Sequence, residues 1–251
     1  MSFFEVNQVT KQFGALEAVS KVSLAINAGE IISLVGESGS GKTTLLRMMA
    51  CLIEPELGMI QLQGKNLRFF SQYLVKGHPE IKLVAQDFQL FPNISLRENI
   101  AYALRNAEHC YQQKRTDGLL SLCGLMAIQH RLPKEVSGGE KQRAAIAKAL
   151  ADEPLLLLLD EPFSQLDTLN KQKLKDLLLQ LNASEQTTIL FVTHDLLDAF
   201  TLAHRVGVMQ HGELVQMGTP QQILQNPKTT YVQHLVNSLY TQYQQLGEIF
   251  E

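Results

Sequence analysis

Along the first thirty residues, apolar and polar positions alternate. Phe4, Val6 and Val9, then Val22, Leu24 and Ile26, follow the two-residue period of strands with one buried face, and Asn27-Ala28-Gly29 supplies a turn. Met59 to Gln63, closed by Gly64, looks similar. Other runs are apolar almost throughout: Glu30 to Val35, Ile81 to Ala85, Leu155 to Asp160 and Thr188 to Thr193. Five leucines in a row, Leu155 to Leu159, predict a strand buried on both faces of a parallel sheet. Between these runs the period lengthens to that of helices: Thr44 to Met49, Ser95 to about Gly124, Glu140 to Ala151, and Thr168 to about Leu181. Ser95-Leu96-Arg97-Glu98 is a capping-box signature. In the tail, Tyr231, Leu235, Leu239, Leu246 and Phe250 recur at loosely helical spacing and predict a helix docked on the core. Strands alternating with helices predict an α/β protein with a mainly parallel sheet, preceded by an antiparallel β region.

Composition narrows this picture. With 251 residues the chain accommodates one large domain or a core with an inserted subdomain, and 45% hydrophobic with 19% charged residues are globular values. A net charge of -3 gives no support for a general nucleic-acid binder. Cys51, Cys110 and Cys123 form no C-x-x-C pair and read as reduced, structural thiols of a cytosolic protein. Met1 to Glu5 lacks the basic and apolar regions of a signal peptide, and no stretch approaches the ~18 apolar residues of a membrane span, so a membrane role would be borrowed from a partner.

Gly36-Glu37-Ser38-Gly39-Ser40-Gly41-Lys42-Thr43 satisfies G-x-x-x-x-G-K-[ST] between a predicted strand and a predicted helix that begins near Thr44. The glycines let successive N–H groups face inward, and the helix start adds its positive dipole end. A triphosphate fits such a cradle, with Lys42 on its outer phosphates and Thr43 on Mg²⁺. An ordinary Gly/Ser-rich turn would give the lysine no task. Asp160 and Glu161 close the leucine strand, at the end of an open α/β sheet where ligands bind. Asp160 suits a second Mg²⁺ contact, and Glu161 can orient and deprotonate a water aimed at the γ-phosphate. A surface pair capping the next helix is the alternative.

Three more segments complete an ordered set. Gln86 lies in Ala85-Gln86-Asp87-Phe88-Gln89-Leu90-Phe91-Pro92; Val136-Ser137-Gly138-Gly139-Glu140-Lys141-Gln142-Arg143 opens a helix; Val192-Thr193-His194-Asp195 closes a strand. Together with the phosphate loop and the carboxylate pair, these make nearly the whole chain resemble the nucleotide-binding subunit of an ABC transporter. The resemblance implies a P-loop NTPase core with a mainly parallel sheet, an N-terminal antiparallel β subdomain and an inserted helical subdomain. Residues 1–91 and 137–228 would form the core, 92–136 the helical insertion and 229–251 a C-terminal helical tail.

It also implies roles. ATP and Mg²⁺ would be bound by residues 36–44, including Thr44, with Gln86 touching Mg²⁺ and the attacking water and His194 holding water, γ-phosphate and Glu161 in register. Phe13 matches the position whose ring stacks on adenine, with a core phenylalanine as the rival reading. Ser137, Gly138 and Gly139 form a second anion-binding helix start, and Asp167, in Ser164-Gln165-Leu166-Asp167, falls where the family has its D-loop. Two copies would pack head to tail, each closing the other's site. Further partners implied are integral membrane subunits, received near Phe88 to Pro92 at the cytoplasmic face, and through them a periplasmic or surface solute-binding protein. Nucleic acid is not among them.

Glu140 and Val136 depart from the glutamine and leucine most frequent in the family. A carboxylate in the first turn gains about 0.3–1 kcal/mol from the helix dipole. Asp160 to Ser164 and Gly212 to Pro220 look like importers of sugars, inorganic ions or polyamines. An exporter, a lipoprotein-release ATPase and a soluble ATPase acting on DNA or ribosomes are the alternatives.

Overall fold

The computed structural model describes residues 2–69 and 77–250, and for 242, 243 and 245–250 the backbone only. The alternating N-terminal segments become β1 (Phe4–Phe13) and β2 (Leu16–Ile26), joined by a tight turn at Gly14 and extended by β4 (Leu57–Leu62) and β5 (Lys65–Asn66) into an antiparallel sheet of order β2-β1-β4-β5. Phe4 and Val6 are two apart but Val9 is three further on. Gln8, at φ 50, lies in the stretch where the pairing register shifts, and the extra residue returns Val9 to the buried face.

A second sheet has the order β10-β9-β3-β8-β7-β6. Its strands are β3 (Ile31–Val35), β6 (Ile81–Val84), β7 (Leu156–Asp160), β8 (Thr188–Thr193), β9 (Arg205–Gln210) and β10 (Glu213–Gly218). All neighbours pair in parallel except β9 with the edge strand β10. The leucine run behaves as a strand covered on both sides. Leu156 and Leu158 join the core formed with the antiparallel sheet and α1 (Lys42–Met49), whereas Leu157 and Leu159 join the core beneath the other helices. The hairpin β9–β10 has no counterpart among the strands expected from the sequence. Val206 to Met209 shows no clean alternation because β9 is wholly buried between its ends, and His211 and Gly212, at φ 49 and 82, make the tight turn.

Helical spacing from Ser95 to Gly124 resolves into α2 (Leu96–Ala103) and α3 (His109–Leu122), and the residues from 92 to 136 hold no strand. The capping box at Ser95 and Glu98 is present. Both helices pack against α4 (Gly138–Leu150). Next come α5 (Thr168–Glu185), which outruns its expected end and stops where Gln186 turns left-handed, α6 (Leu196–Leu202), α7 (Pro220–Gln225) and α8 (Thr230–Phe250). The tail helix α8 docks through Val232, Val236 and Leu239, with Tyr231 and Leu235 half-buried beside them; the side chains of Leu246 and Phe250 lie outside the described residues. Cys51 and Cys123 are buried, and burial pushes each thiol up to about 12, which leaves them inert; Cys110 is exposed.

This topology fixes the place of the site. In the register of the parallel strands Val35 faces Thr193, Asp160 faces Val192 and Val84 faces Leu159. The carboxyl ends of β3, β8, β7 and β6 therefore stand side by side, and the segments leaving these strands meet along one edge of the sheet.

Candidate nucleotide-binding site

The phosphate loop leaves β3 between backbone walls that admit only glycine. A Cβ on Gly36 would lie 2.2 Å from the Met209 carbonyl oxygen, and one on Gly41, at φ 98, would lie 2.2 Å from that of Ala18. Within the loop the Ser40 N–H donates to the Glu37 carbonyl at 3.1 Å, and from outside the Gly212 N–H donates to the Ser40 carbonyl at 3.1 Å. Helix α1 then starts with Gly41 as its N-cap, without a side-chain cap and without an acidic residue in its first turn. Its first N–H groups are consequently open to an external anion. Lys42 Nζ folds over the loop, donating to the carbonyls of Gly36 (2.7 Å) and Glu37 (2.8 Å) and to Ser40 Oγ (3.2 Å). Burial holds its pKa below the usual lysine value, against the opposing pull of Glu161, Asp160 and Glu37.

Across from this helix, Thr43 Oγ1 donates to Asp160 Oδ1 at 3.0 Å. Asp160 is buried, which raises its carboxyl pKa despite the Thr43 hydrogen bond and the charges of Arg47 and Lys42. Glu161 comes next, in left-handed conformation at φ 50, its N–H donating to the Val192 carbonyl on the neighbouring strand. Other residues, Gln8 and Phe88 among them, share that conformation, so location distinguishes Glu161 and strain does not. His194 Nδ1 lies 3.0 Å from Glu161 Oε2.

These groups surround an open cavity of about 490 Å³ lined by Phe13, Leu16, Ala18, Ser38, Gly39, Gly41, Lys42, Thr43, Thr44, Gln86, Asp160, Glu161, Ser164 and His194. Residues from four separated stretches of sequence thus converge with the phosphate loop. Gly36, Glu37 and Ser40 shape the loop without lining the cavity. Phe13 ends β1 with 49% of its surface exposed, so it is no core phenylalanine; Lys11 Nζ is 5.6 Å from its ring centroid. Leu16, Ala18 and Ser164 join the site only in the structure. Leu16, 67% exposed just past the Gly14 turn, repeats the signal of an apolar side chain at a hairpin end. Ser164 opens the segment that ends in Asp167, although only Asp167 is expected at the site from the sequence, and Ala18 carries no signal of its own. Among the described residues no group of three or more His, Cys, Asp or Glu is poised to hold a metal. One hydroxyl, one carboxylate and a nearby amide do suit Mg²⁺, which takes few protein ligands and completes its shell with phosphates and water.

Ser137, Gly138, Gly139 and Asp167 do not line that cavity. Ser137 caps α4: its Oγ accepts from the Glu140 N–H, while its N–H and hydroxyl both donate to Glu140 Oε2, at 2.7 and 2.9 Å. These bonds, the backbone one foremost, hold the Glu140 carboxyl below the usual range. Asp167 caps α5, accepting from the Asn170 N–H at 2.9 Å and its amide at 2.7 Å, and the Asn170 side chain also touches the space above Gly139. Of the other histidines, His204 Nδ1 accepts the Ile31 N–H at 2.9 Å, a structural contact.

Beside the segment after Gln86 lies a groove of about 270 Å³. Phe91 and Tyr102 line it edge to face at 4.8 Å, both more than a third exposed, with Lys148 Nζ 4.0 Å above the Phe91 ring and Arg105 4.8 Å from Tyr102. No helix among the described residues is long and apolar enough to cross a membrane.

The chain resembles several known proteins. The family model described as ABC transporter matches residues 19–164. The chain is 41% identical to the spermidine/putrescine import ATP-binding protein PotA of Chromobacterium violaceum, over 92% of this chain and 64% of that protein. It is 40% identical to the sulfate/thiosulfate import ATP-binding protein CysA of Synechococcus elongatus, over 92% of this chain and 67% of that one. It thus spans about two thirds of the length of these relatives. The dimeric, post-hydrolysis structure of the ATP-binding cassette MJ0796, bound to ADP and Pi, superposes with a TM-score of 0.76 at 30% identity, covering 86% of this chain and 98% of that one. On these grounds the chain belongs to the ABC transporter family.

Proposed function

We propose that the chain hydrolyses ATP with Mg²⁺ and that this drives solute transport across a membrane, as the nucleotide-binding subunit of an importer. The carrying observation is the convergence on one cavity of Lys42, the Thr43–Asp160 pair, the Glu161–His194 pair and Gln86. Lys42 already gathers three oxygens of its own loop, and it would exchange them for those of the β- and γ-phosphates, a charge-assisted contact. The N–H groups at the start of α1 would hold the β-phosphate, and the exposed ring of Phe13 would stack on adenine. Thr43 and Asp160, with Gln86 near them, would hold Mg²⁺, which when bound neutralises the phosphate charge. Glu161 would take the proton of the attacking water, and His194, in hydrogen-bonding reach of its carboxylate, would keep that carboxylate aimed.

The helix start at Ser137 lies away from this cavity, which supports a second copy as the complement of each site, as the MJ0796 dimer suggests. The aromatic and cationic groove at Phe91, Tyr102, Arg105 and Lys148 suits a segment of an integral membrane subunit at the cytoplasmic face, with a solute-binding protein reached through that complex. The naming of relatives as importers of polyamines and sulfate favours import of a small solute. Mg²⁺-dependent release of phosphate by the purified chain, abolished in Glu161→Gln, tests the enzymatic part. Co-purification with a co-expressed membrane protein tests the rest; an inactive chain, or one that never co-purifies, contradicts it.

A further inference from the structure

We propose that Tyr231, at the start of the tail helix, is a positioning residue for nucleotide binding: its hydroxyl accepts the N–H of Glu37 and holds the phosphate loop in its receiving shape. The inference rests on the nucleotide reading above and extends it to an element outside the cavity. Tyr231 Oη is 3.0 Å from the Glu37 nitrogen, across a separation of 194 residues, so only tertiary structure creates the contact. Tyr231 does not line the nucleotide cavity; any effect it has on nucleotide passes through the loop.

Both ends of this link are pinned. The buried Gln216 on β10 donates to the Asn226 carbonyl at 3.0 Å and accepts the Lys228 N–H at 2.7 Å, fixing the segment that enters α8. Thr229 caps the helix by accepting the Val232 N–H at 3.2 Å, and Val232 and Val236 anchor it in the core. At the other end, the Glu37 carbonyl accepts both the Ser40 N–H and Lys42 Nζ, and Lys42 also holds the Gly36 carbonyl. Rotation of the peptide between Gly36 and Glu37 would therefore displace the ammonium that meets the phosphates. The tyrosine hydroxyl fixes the N–H side of that same peptide, and the Gly212 bond to Ser40 fixes the loop two residues before Lys42. Burial raises the Tyr231 pKa, so the hydroxyl stays neutral at physiological pH.

Tyr231→Phe keeps the ring and removes the acceptor. Without the bond the free loop leaves its receiving shape and binding has to restore it, so nucleotide affinity, read with a fluorescent ADP analogue, is expected to fall about 2–12-fold, with one neutral hydrogen bond as the ceiling. The KM for ATP rises in step while kcat stays within about twofold, because the interaction is made equally in ground and transition states. In a Glu37→Pro background, which lacks the donor, the same substitution has no further effect. An unchanged affinity in Tyr231→Phe, an equal loss of kcat, or an undiminished effect in the Glu37→Pro background overturns the inference. If the proline itself abolishes binding, Tyr231→Phe alone decides. A wild-type chain that takes up no nucleotide would instead remove the proposed function and this inference with it.

Discussion

Two glycine-flanked helix starts in this molecule read alike in the sequence and are in opposite states. At α1 the first turn carries no side-chain cap and no acid, and Lys42 rests on the loop's own oxygens. At α4, Ser137 and Glu140 close a full capping box, so a carboxylate of the chain already sits where an anion would bind. The first end is left open to a ligand within one chain. The second satisfies itself, and an incoming phosphate has to compete with Glu140 for the Ser137 hydroxyl and N–H. Affinity should therefore reside at α1, with α4 adding its share only when a second copy presents an occupied site.

The largest effect that sharpens this contrast is at Glu161. Glu161→Gln should lower hydrolysis by about 10²–10⁴, as expected for loss of a general base, with nucleotide affinity retained; parallel binding and turnover assays check it. Next comes Lys42→Ala, which removes the ammonium lying on the loop. Hydrogen bonds to charged groups contribute about 1.5–3 kcal/mol, so nucleotide affinity should fall roughly 10–150-fold, as measured by equilibrium titration.

A third test concerns Asp160. Burial raises its folded-state pKa above the unfolded 3.8, so folding favours the protonated form. The stability it contributes is present below pH 3.8 and is lost as pH rises through the raised folded value. At neutral pH the buried carboxylate is a cost to the nucleotide-free chain. Asp160→Asn, which keeps an acceptor for Thr43, should raise the melting temperature at pH 7, with the gain vanishing towards pH 4, while Mg²⁺-dependent hydrolysis is lost. Thermal scans across pH check both parts. The smallest effect belongs to Glu140→Gln: a glutamine oxygen can still accept from Ser137, so ATP affinity and turnover should change by less than about tenfold, equivalent to ~1.4 kcal/mol. A complete loss of turnover would break the comparison, since Glu140 would then be more than a competitor at α4.

How much the sequence discloses depends on how local each signal is. The phosphate loop is legible because glycine spacing, lysine and flanking elements lie within one short stretch. The two-sided burial of β7 is legible because five leucines leave no polar face. Phe13 can be placed from sequence, but only its position at the β1–β2 turn, where it is exposed, decides between core and surface. The β9–β10 hairpin escapes because its buried run, Val206 to Met209, is only four residues long and contains Gly207, a weaker signal than the five leucines of β7. The Tyr231–Glu37 bond cannot be read at all, since nothing in either segment announces a partner 194 residues away.

The most direct test of the account is sedimentation of the Glu161→Gln chain with and without MgATP. Nucleotide should convert it to a species of doubled mass, and Gly138→Asp, which sets a further carboxylate at the α4 start, should prevent that conversion. A Glu161→Gln chain that binds ATP to saturation yet sediments as a single protomer, with membrane subunits also supplied, would contradict the claim that two copies complete each site.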